Sequence, residues 1–146
     1  MAVKFKVDTT RHITDGLIKI FIFLKLAPQG YYVLTTFGRK SGEKRTTPVV
    51  LVEEDGRRWL VAPFGPVGWV YNARAAGKVT LSRNGKSETL AIQELSPEEA
   101  APILRKYVNN VAVVRRYFDV EADSPESAYM TEAQKRPVFE LTSMAT

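Results

Sequence analysis

Along most of this chain hydrophobic and polar positions alternate in short runs, and in a few stretches the spacing lengthens to that of a helix. Tyr31 to Phe37 (YYVLTTF) is rich in aromatic and β-branched residues and predicts a strand. Polar, glycine-punctuated Gly38 to Lys44 reads as a loop. Arg45 to Glu53 (RTTPVVLVE) returns as a second strand, in which Pro48 implies an edge or a bulge. Asp55-Gly56 turns the chain into a third strand, Arg58 to Ala62. Then the period changes: Gly65 and Pro66 open a helix and Gly77 closes it, with Trp69, Asn72, Ala73 and Ala76 on one face. Lys78 to Arg83, an Asn84-Gly85 turn and Ser87 to Glu94 form a second hairpin. Ser96-Pro97-Glu98-Glu99 is a capping box, starting a helix that turns Ile103, Leu104, Tyr107 and Val108 inward. Helical or irregular chain continues to Phe118. Ser124-Pro125 starts a last helix, and Pro137 to Thr142 (PVFELT) is a closing strand.

The beginning of the chain is different. Gly16 to Ala27 is strongly apolar, but Lys19 and Lys25 interrupt it, and it is shorter than the ~20 residues of a bilayer span. On a helix, Ile13, Leu17, Ile20, Phe21 and Leu24 share a face, while Ile18, Ile22 and Leu26 fall elsewhere. Three readings stay open: a helix over the core, an interfacial helix touching a membrane through residues 13–26, and a strand. No secretory signal of the usual form is present, and Pro28-Gln29-Gly30 makes a turn before the first strand. The whole pattern gives an α+β class: a small barrel of about six mostly antiparallel strands with flanking helices. There is no βαβ rhythm and no G-x-G-x-x-G after a strand, which disfavours a Rossmann domain. Residues 1–146 read as one domain, with 1–30 an apolar N-terminal helical segment.

Composition narrows the chemistry. With no cysteine and a single histidine, His12, thiolate sites, cysteine nucleophiles, serine–histidine triads and multi-histidine metal sites are set aside. The chemistry therefore comes from a cofactor. The formal charge of +5 favours an anionic partner. Much of it is concentrated in Arg39, Lys40, Lys44 and Arg45, with Glu43 the one acid among them. In Gly38 to Pro48, glycines let successive amides aim at one point, arginine adds a planar fork, and Ser41, Thr46 and Thr47 add hydroxyls. From composition alone, a basic hairpin loop is more often a solvated turn than a binding site. Cations focused in one loop, not interleaved with aromatics along a strand, argue against nucleic acid.

The strings LTTFGRKSGEKRTTPV and LVAPFGPVGWVYNARAAGKVTL resemble the deazaflavin (F420)-dependent nitroreductase family, within the flavin/deazaflavin oxidoreductase superfamily. Members show a T-T-x-G-R-x-S-G-x-x-R-x-x-P loop followed by a W-x-x-N helix. The likeness runs from about Leu34 to Leu81, and more weakly through Arg115 to Asp119 to the closing strand. It implies a split β-barrel and F420, a coenzyme whose tail carries a phosphodiester and glutamate carboxylates. By that resemblance Arg39, Lys40, Ser41, Gly42 and Arg45 belong to the tail site, and Thr46, Thr47, Pro48 and Val49 pass beneath the deazaflavin ring. Trp69 and Asn72 border the coenzyme or support its loop, although a core anchor is an equal reading of Trp69. Tyr117 and Tyr129 are candidate proton donors, or simply core aromatics. The implied activity is hydride transfer between deazaflavin C5 and a small apolar electron-poor substrate: an enone, quinone, nitro compound or unsaturated lipid. One departure is Ala62-Pro63-Phe64-Gly65-Pro66, where many members carry A-S-x-G-G with a serine near the coenzyme phosphate. This spelling resembles a subgroup considered to take lipid-like ligands, so a non-catalytic lipid or cofactor carrier is the alternative. The expected setting is cytoplasmic, with a peripheral position at the inner face of the membrane as a variant of it.

Overall fold

A computed structural model describes residues 31–111, 118–121 and 123–144. His12, the apolar stretch 13–26 and Tyr117 lie outside the described residues. In chain order the described elements are β1 (Tyr31–Phe37), β2 (Lys44–Glu54), β3 (Arg57–Val61), α1 (Gly68–Ala76), β4 (Lys78–Arg83), β5 (Lys86–Glu94), α2 (Pro97–Asn110), α3 (Glu126–Ala133) and β6 (Val138–Ser143). The strands form a closed antiparallel barrel in the order β1-β2-β3-β6-β5-β4. Closure comes from β4 returning to β1 through Val33↔Ser82, Leu34↔Leu81 and Thr35↔Thr80. The expected α+β barrel of six strands is therefore the observed fold, closed by β6 between β3 and β5.

Both hairpin turns have left-handed central residues, Asp55 (φ 53°) with Gly56 (φ 77°) and Asn84 (φ 52°) with Gly85 (φ 77°). Such turns match the twist of the flanking strands. β2 lacks alternation because both its faces are covered. Val49 and Leu51 point into the barrel with Leu34, Leu60, Leu81 and Phe139, while Val50 and Val52 point outward against Leu104, Tyr107 and Tyr129 of the helices. Each fully buried side chain of this size stabilises the fold by roughly 1.5–3 kcal/mol.

β2 pairs with β1 from Lys44 to Val50, and with β3 only from Leu51 to Glu54. Among the described residues, the Lys44–Val50 half thus has a strand neighbour on one side only. Pro48, which has no N–H to donate, lies in that half, in agreement with the expected edge position.

The helix after β3 starts later than its sequence predicts. Gly65 adopts φ 88°, which no α-helix accommodates, and the extended Val67 precedes the first helical residue, Gly68. The intervening segment is tied elsewhere. The Ala62 N–H donates to the Pro137 carbonyl at 2.9 Å, and an Arg136 guanidinium N–H donates to the Pro63 carbonyl. The buried face shifts accordingly to Val70, Asn72 and Ala73, with Trp69 half-buried and Ala76 exposed.

The capping box on α2 is present, Glu99 N–H donating to Ser96 Oγ at 3.3 Å and Ser96 N–H to Glu99 Oε1 at 3.2 Å. α2 ends at Asn110. At the end of α3 the Glu132 carboxylate is 2% exposed. It accepts the Asp119 N–H at 2.6 Å and pairs with Lys135 at 2.9 Å, with Arg136 Nε 3.7 Å away. Burial pushes this carboxyl up, but Lys135, the Asp119 amide and Arg136 outweigh burial and hold it below the usual glutamate value. Through Arg136 the same knot reaches Pro63, so the end of α3 fixes the chain that leads into α1.

Candidate anion-binding and cofactor site

The loop between β1 and β2 is shaped by its own backbone. Gly38 N–H donates to the Glu43 carbonyl and Gly42 N–H to the Gly38 carbonyl, each at 2.8 Å. Gly42 takes a left-handed φ of 73°, which a residue with a Cβ reaches only with strain. Ser41 Oγ accepts the Glu43 N–H at 3.1 Å, which turns this hydroxyl into the loop.

α1 holds the loop from the side. Asn72, 5% exposed, uses one oxygen twice: Oδ1 accepts from the Arg39 backbone N–H at 3.2 Å and from Arg39 Nη1 at 3.0 Å. Its amide nitrogen faces Thr36 Oγ1 at 3.5 Å. The Arg39 guanidinium also lies 5.3 Å from the centre of the Tyr71 ring. On the same ring Arg74 sits at 5.7 Å, itself clamped by both oxygens of Glu94 at 2.8 Å. Trp69, one turn earlier, packs its ring 6.2 Å from Phe139 at 55°, anchoring α1 on the barrel.

Between loop, β2 and α1 opens a cavity of about 490 Å³, lined by Gly38, Arg39, Lys40, Ser41, Arg45, Thr46, Thr47, Val67, Gly68, Trp69 and Asn72. That size is ordinary for a small-molecule site. Of the residues singled out in the sequence, Arg39, Lys40, Ser41, Arg45, Thr46, Thr47, Trp69 and Asn72 converge there. Gly42 shapes the loop without lining the cavity, Pro48 sits opposite Val33 in the β1–β2 pairing, and Val49 points into the barrel core. Tyr129 does not join the site: it is fully buried beneath α2, its hydroxyl donates to the Glu121 carbonyl at 2.7 Å, and Arg105 lies over its ring at 4.5 Å. Those surroundings make it a core aromatic.

The two arginines of the loop have unlike partners. Arg39 is oriented by a neutral carbonyl oxygen, whereas Arg45 pairs with the Glu43 carboxylate at 3.0 Å. Local positive charge is thus partly cancelled at Arg45 and intact at Arg39. The sequence did not show the Asn72 bridge, the Tyr71 shelf or the Glu43 pairing. Only the last had a local signal, a carboxylate two residues from a guanidinium on an extended chain.

Cationic forks, hydroxyls and a one-sided strand edge around an open cavity suit a flat, polar-edged ring bearing an anionic tail. A family model described as F420H(2)-dependent quinone reductase matches residues 10–124. The chain belongs to that family. It is an F420-dependent oxidoreductase, and the donor set just described fits the coenzyme. Among solved structures, the chain is similar to an F420-H2 dependent reductase (FDR-A), with 28% identity, 77% of this chain and 94% of that one covered, and a TM-score of 0.51. It also shares its fold with a conserved hypothetical protein from Mycobacterium tuberculosis (17% identity; 99% and 86% covered; TM-score 0.54). A NimC/NimA family protein from Clostridium acetobutylicum shows the same fold (16% identity; 87% and 82% covered; TM-score 0.53). No curated protein matches the chain.

Proposed function

We propose that this F420-dependent quinone reductase family member holds the coenzyme's phosphate and glutamate tail with Arg39, Lys40, Ser41 and Arg45. Thr46 to Val49 would hold its ring, and a small apolar electron-poor acceptor such as a quinone, enone, nitro compound or unsaturated lipid would be reduced. The observation that carries this reading is the convergence of the loop cations, the Thr46–Thr47 strand edge and the Trp69–Asn72 face of α1 on one cavity. When bound, reduced F420 supplies a hydride from C5 of its ring. The chain's own tasks are to bind, to orient and to exclude water. Arg39 and Arg45 supply charge-assisted donors, the loop amides stay pointed by the Gly38–Glu43 hydrogen bonds, and Trp69 closes the apolar side.

The alternative, a lipid or cofactor carrier without turnover, draws on the stretch before α1. Phe64 packs against the outer core and the Pro63 carbonyl accepts from Arg136, so this stretch adds no hydroxyl to the cavity. We further propose that residues 1–146 act as one domain in the cytoplasm, with residues 13–26 a helix over the core or, as the variant, in contact with the inner membrane face. Among the described residues no helix is long and apolar enough to cross a membrane.

Titrating the protein into F420 is expected to change the coenzyme's fluorescence, with weaker binding as salt rises. Arg39→Ala and Arg45→Ala should each lower affinity about ten- to a hundredfold, the value of one charged hydrogen bond. Wild-type affinity in both variants would rule out this loop as the tail site. Reduced F420 with menadione or cyclohexenone then separates enzyme from carrier: tight binding without oxidation of the coenzyme favours the carrier.

A further inference from the structure

We infer that Asn72 is a positioning residue for coenzyme binding: a neutral acceptor that aims the Arg39 guanidinium at the cavity without cancelling its charge. The inference rests on the F420 reading above and specifies how its tail site is prepared.

Three observations carry it. Asn72 Oδ1 takes the Arg39 main-chain N–H and the Arg39 Nη1 together, at 3.2 and 3.0 Å, so a single atom fixes both the backbone and the head of that residue. Asn72 is itself 5% exposed and lies on a helix wedged against the barrel by Val70 and Ala73, so its oxygen has little freedom to follow a moving loop. The Tyr71 ring supports the same guanidinium at 5.3 Å and also meets Arg74 at 5.7 Å, which Glu94 clamps. A long flexible side chain at the rim of an open cavity is thereby held in one place before any ligand arrives. Ordering it in advance removes a cost that binding otherwise bears.

The chemistry of position 72 matters as much as its place. Arg45, paired with the Glu43 carboxylate at 3.0 Å, must leave one anion to take another. Arg39 retains its full charge, and most of its five N–H groups stay available beside the one given to Asn72. An aspartate at 72 has nearly the same shape and the same accepting oxygen but would bring its own negative charge. It would keep the aim and cancel the attraction. The exchange Asn72→Asp therefore separates placement from charge, and Asn72→Ala removes both hydrogen bonds.

The test compares two ligands on wild type, Asn72→Asp, Asn72→Ala, Arg39→Ala and the Asn72→Ala/Arg39→Ala double variant. The ligands are F420 and the deazaflavin nucleoside lacking phosphate and glutamates, each titrated by fluorescence. Asn72→Asp and Asn72→Ala are expected to weaken F420 about tenfold or more while changing nucleoside affinity less than about twofold. In the double variant, loss of Asn72 should add little to the loss of Arg39, because both act through one guanidinium. Additive losses, equal losses for both ligands, or unfolding of both Asn72 variants would overturn the positioning role and leave Asn72 as a support of the fold. Unchanged F420 affinity in both Asn72 variants would overturn it as well. A wild-type chain that binds neither ligand would instead overturn the coenzyme reading, and this inference with it.

Discussion

At the scale of single residues, the loop shows how little an ion pair in water contributes and how much a neutral acceptor can arrange. The Glu43–Arg45 pair has side chains 66% and 62% exposed, a setting in which such pairs contribute about 0–1 kcal/mol. Glu43 is therefore a weak internal competitor for tail carboxylates. Glu43→Gln should raise F420 affinity by up to about fivefold at low salt, and the gain should shrink as ionic strength rises. A fluorescence titration at two salt concentrations measures this, and unchanged or weaker binding would exclude the competition. The sequence made the cations legible but not their partners. Arg39 and Asn72 are 33 residues apart, and only the family likeness set them in one site.

Among the elements, the strands were legible because their turns are chemically explicit. Asp55-Gly56 and Asn84-Gly85 both supply the left-handed pairs that tight hairpins need. The start of α1 was misplaced by three residues, since the proline after Gly65 looks like a helix opening and nothing local reports the contacts to Pro137 and Arg136. Those contacts lead to Glu132. A buried carboxylate that pairs with Lys135, faces Arg136 and accepts the Asp119 amide loses those attractions if its charge is removed. Glu132→Gln should cost about 3 kcal/mol at neutral pH, read as a lower Tm. Because the folded carboxyl lies below its usual value, its stabilisation is present above the ordinary glutamate range and is lost as pH falls through the folded value. Wild type and variant should therefore converge in acid. A gap in Tm that stayed constant down to pH 3 would contradict this account.

For the whole molecule, the barrel depends on a strand contributed last. β6 joins β3 to β5 through Phe139 and Leu141, buried among residues from six other elements, and a closing strand was expected from the PVFELT spelling alone. What the sequence could not give is the closure of β1 on β4, a pairing set by sheet twist and loop geometry rather than by local preference. Removing residues 137–146 should open the barrel and abolish cooperative thermal unfolding, measured by circular dichroism. A truncated chain that still melted sharply would show that the remaining strands suffice.

Among the described residues the Lys44–Val50 half of β2 has no second strand neighbour, which invites one more consequence. An edge without a second strand can be joined by any passing strand, including one from another copy of the protein. Lys44 and Arg45 stand on that edge, and Pro48 withholds a donor from it. The side chains that attract an acidic ligand thus double as sentries against unwanted sheet growth. Stripping their charge would endanger solubility along with affinity.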